Sequence, residues 1–282
     1  MQICPTKTEF RDAVANLRRD GGSVGLVPTM GYLHEGHLTL IRTSSEACTH
    51  TVVSLFVNPT QFGDPADLEN YPRDTPRDLA LLEAAGVAAV FLPSPEEMYH
   101  PEAQTIVETV DLADVLMGAL RPGHFRGVAT VVTKLLNIAQ PDRAFFGRKD
   151  YQQLAVIRTL VRDLDIPVEV IGVPTVREPD GLAMSSRNVR LTPAHRASAP
   201  ALNAALDWAE LEASHTAISA EELSAAILAR IAVADGAEVQ SVDIRDADTL
   251  APLTGPVTRP SVILLAVRFG TVLLIDQRVV TP

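Results

Sequence analysis

Val24-Gly25-Leu26-Val27-Pro28-Thr29-Met30-Gly31-Tyr32-Leu33-His34-Glu35-Gly36-His37 is the stretch on which the reading of this chain turns. Its apolar opening reads as a buried strand. Pro28 and Gly31 punctuate the run, so the strand is expected to stop there. Past Gly36, Leu38, Leu40 and Ile41 recur at helical spacing. Strand, glycine-bearing turn and helix start form the first half of a βαβ unit. A helix N-terminus in that place offers backbone N–H groups and a partial positive charge, which suits a phosphate. His34 and His37 fall on one side of the helix entrance. In isolation His-x-Gly-His describes an ordinary joint with two exposed histidines. Its position between a strand and a helix favours a nucleotide phosphate site.

Working outward, residues 8–20 read as a first helix, closed by Gly21-Gly22. Residues 51–57 are β-branched and apolar, a buried strand stopped at Asn58-Pro59. Residues 75–85 read as a helix with Thr75 as cap, Pro76 in its first position and Gly86 after its end. Residues 87–92 form a third apolar run. Residues 96–99 read as a helical turn, 105–110 as a strand and 112–120 as a helix. Residues 125–138 carry Val128, Val131, Val132, Leu135 and Leu136 on one helical face. Residues 143–146 lead into a helix over 150–164, and 168–173 read as another buried strand. This alternation predicts an α/β fold, a Rossmann-like parallel sheet with helices on both faces. After Thr175 the texture changes to alanine-rich helices over 194–213 and 219–234, with shorter alternating strands over 239–245, 262–267 and 272–275. These predict a smaller α+β C-terminal domain with an antiparallel sheet. The expected domains are 1–173, holding the nucleotide, and 174–282, closing over it.

The 282 residues are 46% hydrophobic and 21% charged, the balance of a soluble globular protein. The N-terminus lacks the apolar core of a signal peptide, and no apolar run approaches a membrane span. Cys4 and Cys48 form no metal-ligand spacing and read as thiols in a reducing cytoplasm. A net charge of -11 with no basic cluster argues against nucleic acid and for a small-molecule substrate.

Other stretches carry chemistry-bearing residues. Asn58 and Gln61 follow a strand end, where open α/β sheets bind ligands. The glutamine offers donor and acceptor to a hydroxyl or carboxylate, and a solvated turn is an equal reading. Gly147-Arg148-Lys149-Asp150 opens a helix, with Gln153 one turn on. Lys149 can place a point charge on a phosphate, although alone the segment reads as a solvated helix start. Met184-Ser185-Ser186-Arg187 lies in a Gly-containing loop, and two hydroxyls with a guanidinium suit phosphate oxygens better than a linker does. Arg121 and His124 read as anion ligands or as a helix-cap loop. Asp74 and Asp78 read as a solvated helix face, with a water-mediated metal as the lesser alternative.

In order along the chain, Pro28-Thr29-Met30-Gly31 with His34-Glu35-Gly36-His37, Phe56-Val57-Asn58-Pro59 with Gln61-Phe62, Tyr71-Pro72-Arg73, Arg121-Pro122-Gly123-His124-Phe125, Lys149-Asp150 with Gln152-Gln153, and Met184-Ser185-Ser186-Arg187-Asn188 resemble the pantoate–β-alanine ligase (pantothenate synthetase) family. That family belongs to a nucleotidylyltransferase superfamily with a His-x-Gly-His motif. Ile244-Arg245-Asp246 and Leu274-Ile275-Asp276 extend the resemblance into the last domain.

The resemblance implies a two-step ligation. Pantoate and MgATP form pantoyl adenylate and pyrophosphate, and β-alanine then displaces AMP to give pantothenate. It implies ATP contacts from Met30, Gly31, Tyr32, Leu33, His34, Glu35, Gly36, His37, Gly147, Arg148, Lys149, Asp150, Val176, Met184, Ser185, Ser186 and Arg187. Gln61 and Gln153 would hold pantoate, with Gln61 also near β-alanine, and His37 would be the proton donor. His34, His37, Lys149, Ser185, Ser186 and Arg187 are the residue types that a triphosphate losing pyrophosphate requires. Magnesium, a cytoplasmic location and a homodimer are implied in the same way. The chain departs from the family at Arg148 (commonly Glu), at Leu116-Met117-Gly118 (commonly Leu-Glu-Gly) and at Gln277 (usually Asn). The alternatives are an adenylyltransferase acting on a phosphate, which has no need of paired glutamines, and a nucleotide-binding regulatory module, which leaves Lys149, Ser186 and Arg187 unexplained. An aminoacyl-tRNA synthetase is disfavoured by the acidic balance.

Overall fold

The computed structural model describes residues 1–281, and every count here is of those residues. The chain forms two compact units, Met1–Arg148 with Val156–Pro174, and Lys149–Ala155 with Thr175–Pro282. Strands of the first unit are β1 (Gln2–Cys4), β2 (Val24–Thr29), β3 (His50–Leu55), β4 (Ala89–Phe91), β5 (Arg143–Gly147) and β6 (Glu169–Val173). Its helices are α1 (Lys7–Leu17), α2 (Glu35–Ala47), α3 (Pro65–Glu69), α4 (Thr75–Ala84), α5 (Pro95–Met98), α6 (Met117–Leu120), α7 (His124–Ala139) and α8 (Tyr151–Asp163), the last beginning within the second unit.

The sheet order is β1-β4-β3-β2-β5-β6, and every pairing is parallel. β2, the run that opened the sequence reading, lies inside the sheet, which is why it is apolar almost throughout. Its boundary differs from expectation: Pro28 lies within the strand, opposite Ser54. Pairing with β5 has ended by Leu26, so Pro28 withholds its missing donor where β2 has lost one neighbour. β1 escapes the periodicity because it has only three residues; it pairs with β4. Val27, Leu33, Ile41, Val53, Leu82, Val90 and Phe145 join one core, so the sheet and the helices α2 and α4 share it.

Residues 105–110 do not form the expected strand. The segment instead ties Val107 N–H and C=O to the Thr130 hydroxyl of α7 (3.0 and 3.2 Å). Of the helix expected over 112–120 only α6 forms.

The second unit holds α9 (Pro193–Ser198), α10 (Ala201–His215), α11 (Ala220–Ala232) and the antiparallel sheet β7 (Ala237–Asp246), β8 (Ser261–Phe269), β9 (Val272–Val280). Pro200 divides the single helix expected over 194–213, since its ring cannot continue a helix. The strands run longer than the apolar pattern suggested. β9 continues through Asp276 and Gln277, polar residues that are nonetheless buried. α10 packs on β9 and α11 on β7, around Leu202, Leu206, Leu223, Ile227, Ile263 and Phe269.

Candidate active site

α2 begins at Glu35, two residues earlier than its periodicity suggested, and His34 is its N-cap. His34 Nδ1 accepts from the Gly36 amide (3.2 Å), and His37 Nδ1 accepts from the His34 amide (3.3 Å). The two rings lie 4.1 Å apart between centroids. Histidine is not a usual cap, so this reciprocal pair was invisible to cap preferences. With each Nδ1 accepting, a neutral ring carries its proton on Nε2, so both imidazoles act as Nε2–H donors.

Several backbone N–H groups of the turn already have acceptors within the protein. Gly31 donates to the Thr29 hydroxyl (3.2 Å), Tyr32 and Leu33 donate to the Asp78 carboxylate (2.7 and 2.8 Å), and His37 donates to the His34 carbonyl (2.8 Å). The amides of His34 and Gly36 go to the imidazoles, as above. Beside these internally bonded amides, the helix start presents its two imidazoles as side-chain hydrogen-bond donors.

Gln61 closes the 3-10 turn Pro59–Gln61 that follows β3. Buried Asn58 orients it: Asn58 Nδ2 donates to Gln61 Oε1 (3.0 Å) and to the Gly127 carbonyl (3.2 Å). Asn58 Oδ1 in turn accepts from Tyr99 Oη (2.7 Å) and Thr60 Oγ1 (2.9 Å). Burial pushes the Tyr99 phenol up, against these hydrogen bonds, so it stays a donor at neutral pH. With its oxygen held back, Gln61 directs Nε2 toward Met30 Sδ, 3.1 Å away. His124 Nδ1 lies 2.8 Å from the Gln61 carbonyl, so its interaction is with the glutamine backbone. A cavity of about 360 Å³ opens at these strand ends, lined by Met30, Gly31, Tyr32, Phe56 and Val57 among others.

Gly147 ends β5, and Arg148 is drawn onto β6: its amide donates to Val173 O (2.8 Å) and its Nε to Gly172 O (3.0 Å). In the second unit Lys149 Nζ lies 3.6 Å from Asp150 Oδ2, and Gln153 follows in α8. Val176 accepts from the Met184 amide (3.0 Å), and Arg177 bridges Ala183, so residues 176–184 double back as a small hairpin. Ser185 Oγ accepts from the Arg187 amide (3.2 Å) and starts the 3-10 turn Ser186–Arg190, with Ser186 buried. The first unit thus gathers Met30 to His37 with Gln61. The second gathers Lys149, Asp150 and Gln153 on one segment, and Val176 with Met184 to Arg187 on another.

Residues 2–279 match the family model described as pantoate-beta-alanine ligase. The chain belongs to that family. A pantothenate synthetase of Agrobacterium fabrum is 50% identical over 280 residues, covering 99% of this chain and 96% of its own. One from Rhizobium meliloti is 50% identical over 282 residues, covering 100% and 97%. Among solved structures, the pantothenate synthetase of Thermus thermophilus is 46% identical with a TM-score of 0.93 over the whole of both chains. A Francisella tularensis pantoate-beta-alanine ligase, complexed with β,γ-ATP and β-alanine, is 35% identical with a TM-score of 0.82, covering 99% and 97%. Sheet order and motif order in this chain are therefore those of a pantoate–β-alanine ligase.

Two supports of the candidate site escaped the motifs. Asp78 was read as part of a solvated helix face, yet it is 2% exposed and holds two amides of the turn. Asp74 is the N-cap of α4 in place of Thr75, its Oδ1 accepting from Arg77 N (3.2 Å). In the second unit Arg177 pairs in a fork with buried Asp276 (2.7 and 3.0 Å) and also donates to Gly181 O (3.1 Å). That pins the hairpin bearing Met184 to Arg187 onto β9. The aspartates lie 45 residues from Leu33 and 99 from Arg177, so no local sequence signal marks these roles.

Proposed function

We propose that this chain joins pantoate to β-alanine at the expense of ATP, through pantoyl adenylate. In the first step a pantoate carboxylate oxygen bonds to the α-phosphorus, the bond from that phosphorus to the α,β-bridging oxygen breaks, and pyrophosphate leaves. In the second the β-alanine amine attacks the acyl carbon, the acyl–oxygen bond to AMP breaks, and the amine loses a proton. His34 and His37 donate from Nε2 to the triphosphate, His37 being the proton donor. Lys149, Ser185, Ser186 and Arg187 neutralise the charge gathering on the leaving pyrophosphate. Met30 to Leu33, Glu35, Gly36, Gly147, Arg148, Asp150, Val176 and Met184 complete the nucleotide site. Gln61 and Gln153 hold pantoate, and Gln61 also meets β-alanine.

What carries this reading is a convergence at the end of β2. There the imidazole pair and the Gln61 amide, 3.1 Å from Met30, serve one turn. Phosphate donors and a carboxylate donor side by side suit an acid that attacks a phosphorus. The Francisella tularensis relative, complexed with β,γ-ATP and β-alanine, supports the same pairing of ligands. Magnesium is proposed with ATP from the family resemblance, where it would neutralise charge on the triphosphate; among the described residues no group of three His, Cys, Asp or Glu side chains is placed to hold it. A homodimer follows from the family resemblance, and light scattering on the purified chain checks it. A cytoplasmic location agrees with two free, buried cysteines.

The test is an assay with ATP, pantoate and β-alanine. AMP release that requires both acids is the expected result. Pantoate-independent exchange of pyrophosphate into ATP, or ADP as product, overturns the reading.

A further inference from the structure

We infer that Asp78 is a positioning residue for adenylation: its buried carboxylate is an internal anion that presets the turn carrying His34 and His37. This rests on the proposal that those imidazoles act on the triphosphate.

Gly31 (φ +82°) and Tyr32 (φ +51°) are both left-handed, a conformation a tyrosine adopts only at a cost. Such a pair turns successive N–H groups toward one point and builds a concavity for an anion. In many nucleotide folds a ligand phosphate fills such a concavity. Here Asp78 reaches in from the first turn of α4 and fills it, with Oδ2 on the Tyr32 amide and Oδ1 on the Leu33 amide. Arg77 flanks the arrangement, its Nη1 3.7 Å from Asp78 Oδ1 and its guanidinium 5.4 Å from the Tyr32 ring centroid. Gly31 is confined from the same side: a Cβ there would sit 3.1 Å from Asp78 Oδ2.

Two consequences follow. The Tyr32 and Leu33 amides have an acceptor before any nucleotide arrives, so the phosphate-binding power of the turn shifts to the imidazole Nε2 atoms. The entry angle of the chain into α2 is also fixed at Leu33, the residue before the cap. A displacement of about 1 Å at a reacting group costs on the order of 10²-fold in rate, so a loosened turn should slow adenylation more than it disturbs the second step's amine site, which meets the turn only through Gln61 and Met30.

The decisive variant is Asp78→Asn, which keeps the shape but sets an amide donor against one of the two N–H groups. We expect pantoate-dependent ATP–pyrophosphate exchange to fall 10- to 100-fold in kcat, with less than a threefold change in KM for β-alanine. In a His37→Ala background the same substitution should cost less than in the parent, because one of the two imidazoles that Asp78 positions is gone. Equal losses in both backgrounds, or exchange within twofold of the parent, overturn the inference. Gly31→Ala is the second probe should Asp78→Asn fail to fold. It strains the same turn with the carboxylate intact and should reproduce the kcat-selective loss; unchanged kcat overturns the inference as well. If His37→Ala itself retains full exchange, the proposed role of the imidazoles fails first, whatever Asp78 does.

Discussion

His37 meets two demands with one ring. Nδ1 closes the cap of α2 by accepting from His34, and Nε2 is the atom proposed to donate to the triphosphate. His37→Ala removes both, and the two effects separate in magnitude. Loss of one arm of a cap costs about 1 kcal/mol, so the variant should fold with only a lowered unfolding temperature. Loss of a phosphate donor should slow adenylation on the order of 10²–10³-fold, measured by pantoate-dependent pyrophosphate exchange. A variant that folds and turns over at the parental rate would remove His37 from the site. The residue types of this turn were legible in the sequence. The hydrogen-bonding state of each ring was not, because it depends on which backbone amide each nitrogen meets.

Elements place the glutamine that complements those rings. Gly127 lies in the first turns of α7, against the 3-10 turn Pro59–Gln61, and a Cβ there would stand 2.5 Å from the Thr60 carbonyl oxygen and 2.7 Å from Gln61 Cα. The obstacle is backbone, so Gly127→Ala must push the turn away. Overpacking of this kind costs about 1–3 kcal/mol, and the displaced Gln61 should raise KM for pantoate more than it lowers kcat; steady-state kinetics with thermal melts distinguish the two.

At the other end of the sheet Asp142 accepts from Val24 N (2.7 Å) and pairs with Arg18 (2.8 Å), tying the entry of β5 to that of β2. Burial pushes its carboxyl up, but the Val24 amide and Arg18 prevail and hold it below the usual value. A folded-state pKa below the unfolded one, about 3.9, gives stability that is present above that pH and lost as pH falls through the folded value. Asp142→Asn should therefore be less stable than the parent at pH 7, with the gap closing in acid below about pH 4. Urea midpoints across pH check this; a gap that widens in acid contradicts it. Strand–helix alternation was readable because 2- and 3.6-residue periods differ. The false strand over 105–110 arose because periodicity cannot tell that Val107 gives both backbone groups to the Thr130 hydroxyl.

At the scale of the whole molecule, the single tryptophan, Trp208, lies in α10 of the second unit with Arg230 stacked on its ring. Its fluorescence reports on that unit. Asp276→Asn breaks the fork with Arg177 and leaves a charge partly buried without its partner, at a cost of roughly 3 kcal/mol or more. The fluorescence-detected urea midpoint should fall accordingly, and the hairpin over 176–184 should gain hydrogen exchange. An unchanged midpoint would show that the pin contributes nothing. The division into two units likewise shows what chain order hides: Lys149–Ala155 groups with Thr175–Pro282, although Val156–Pro174 returns to the first unit.

The sequence by itself determined the parallel α/β class, the change of texture after Thr175 and the family to which the chain belongs. These follow from local periodicity and from the order of motifs along the chain. Only the tertiary structure decided that the amides of Tyr32 and Leu33 belong to Asp78, that Asn58 turns the Gln61 amide, and that Arg177 anchors the Ser185 loop to Asp276. Each of those is a hydrogen bond whose partner is chosen by proximity in space. A buried donor must find an acceptor, but nothing in its neighbours along the chain says which one folding will supply.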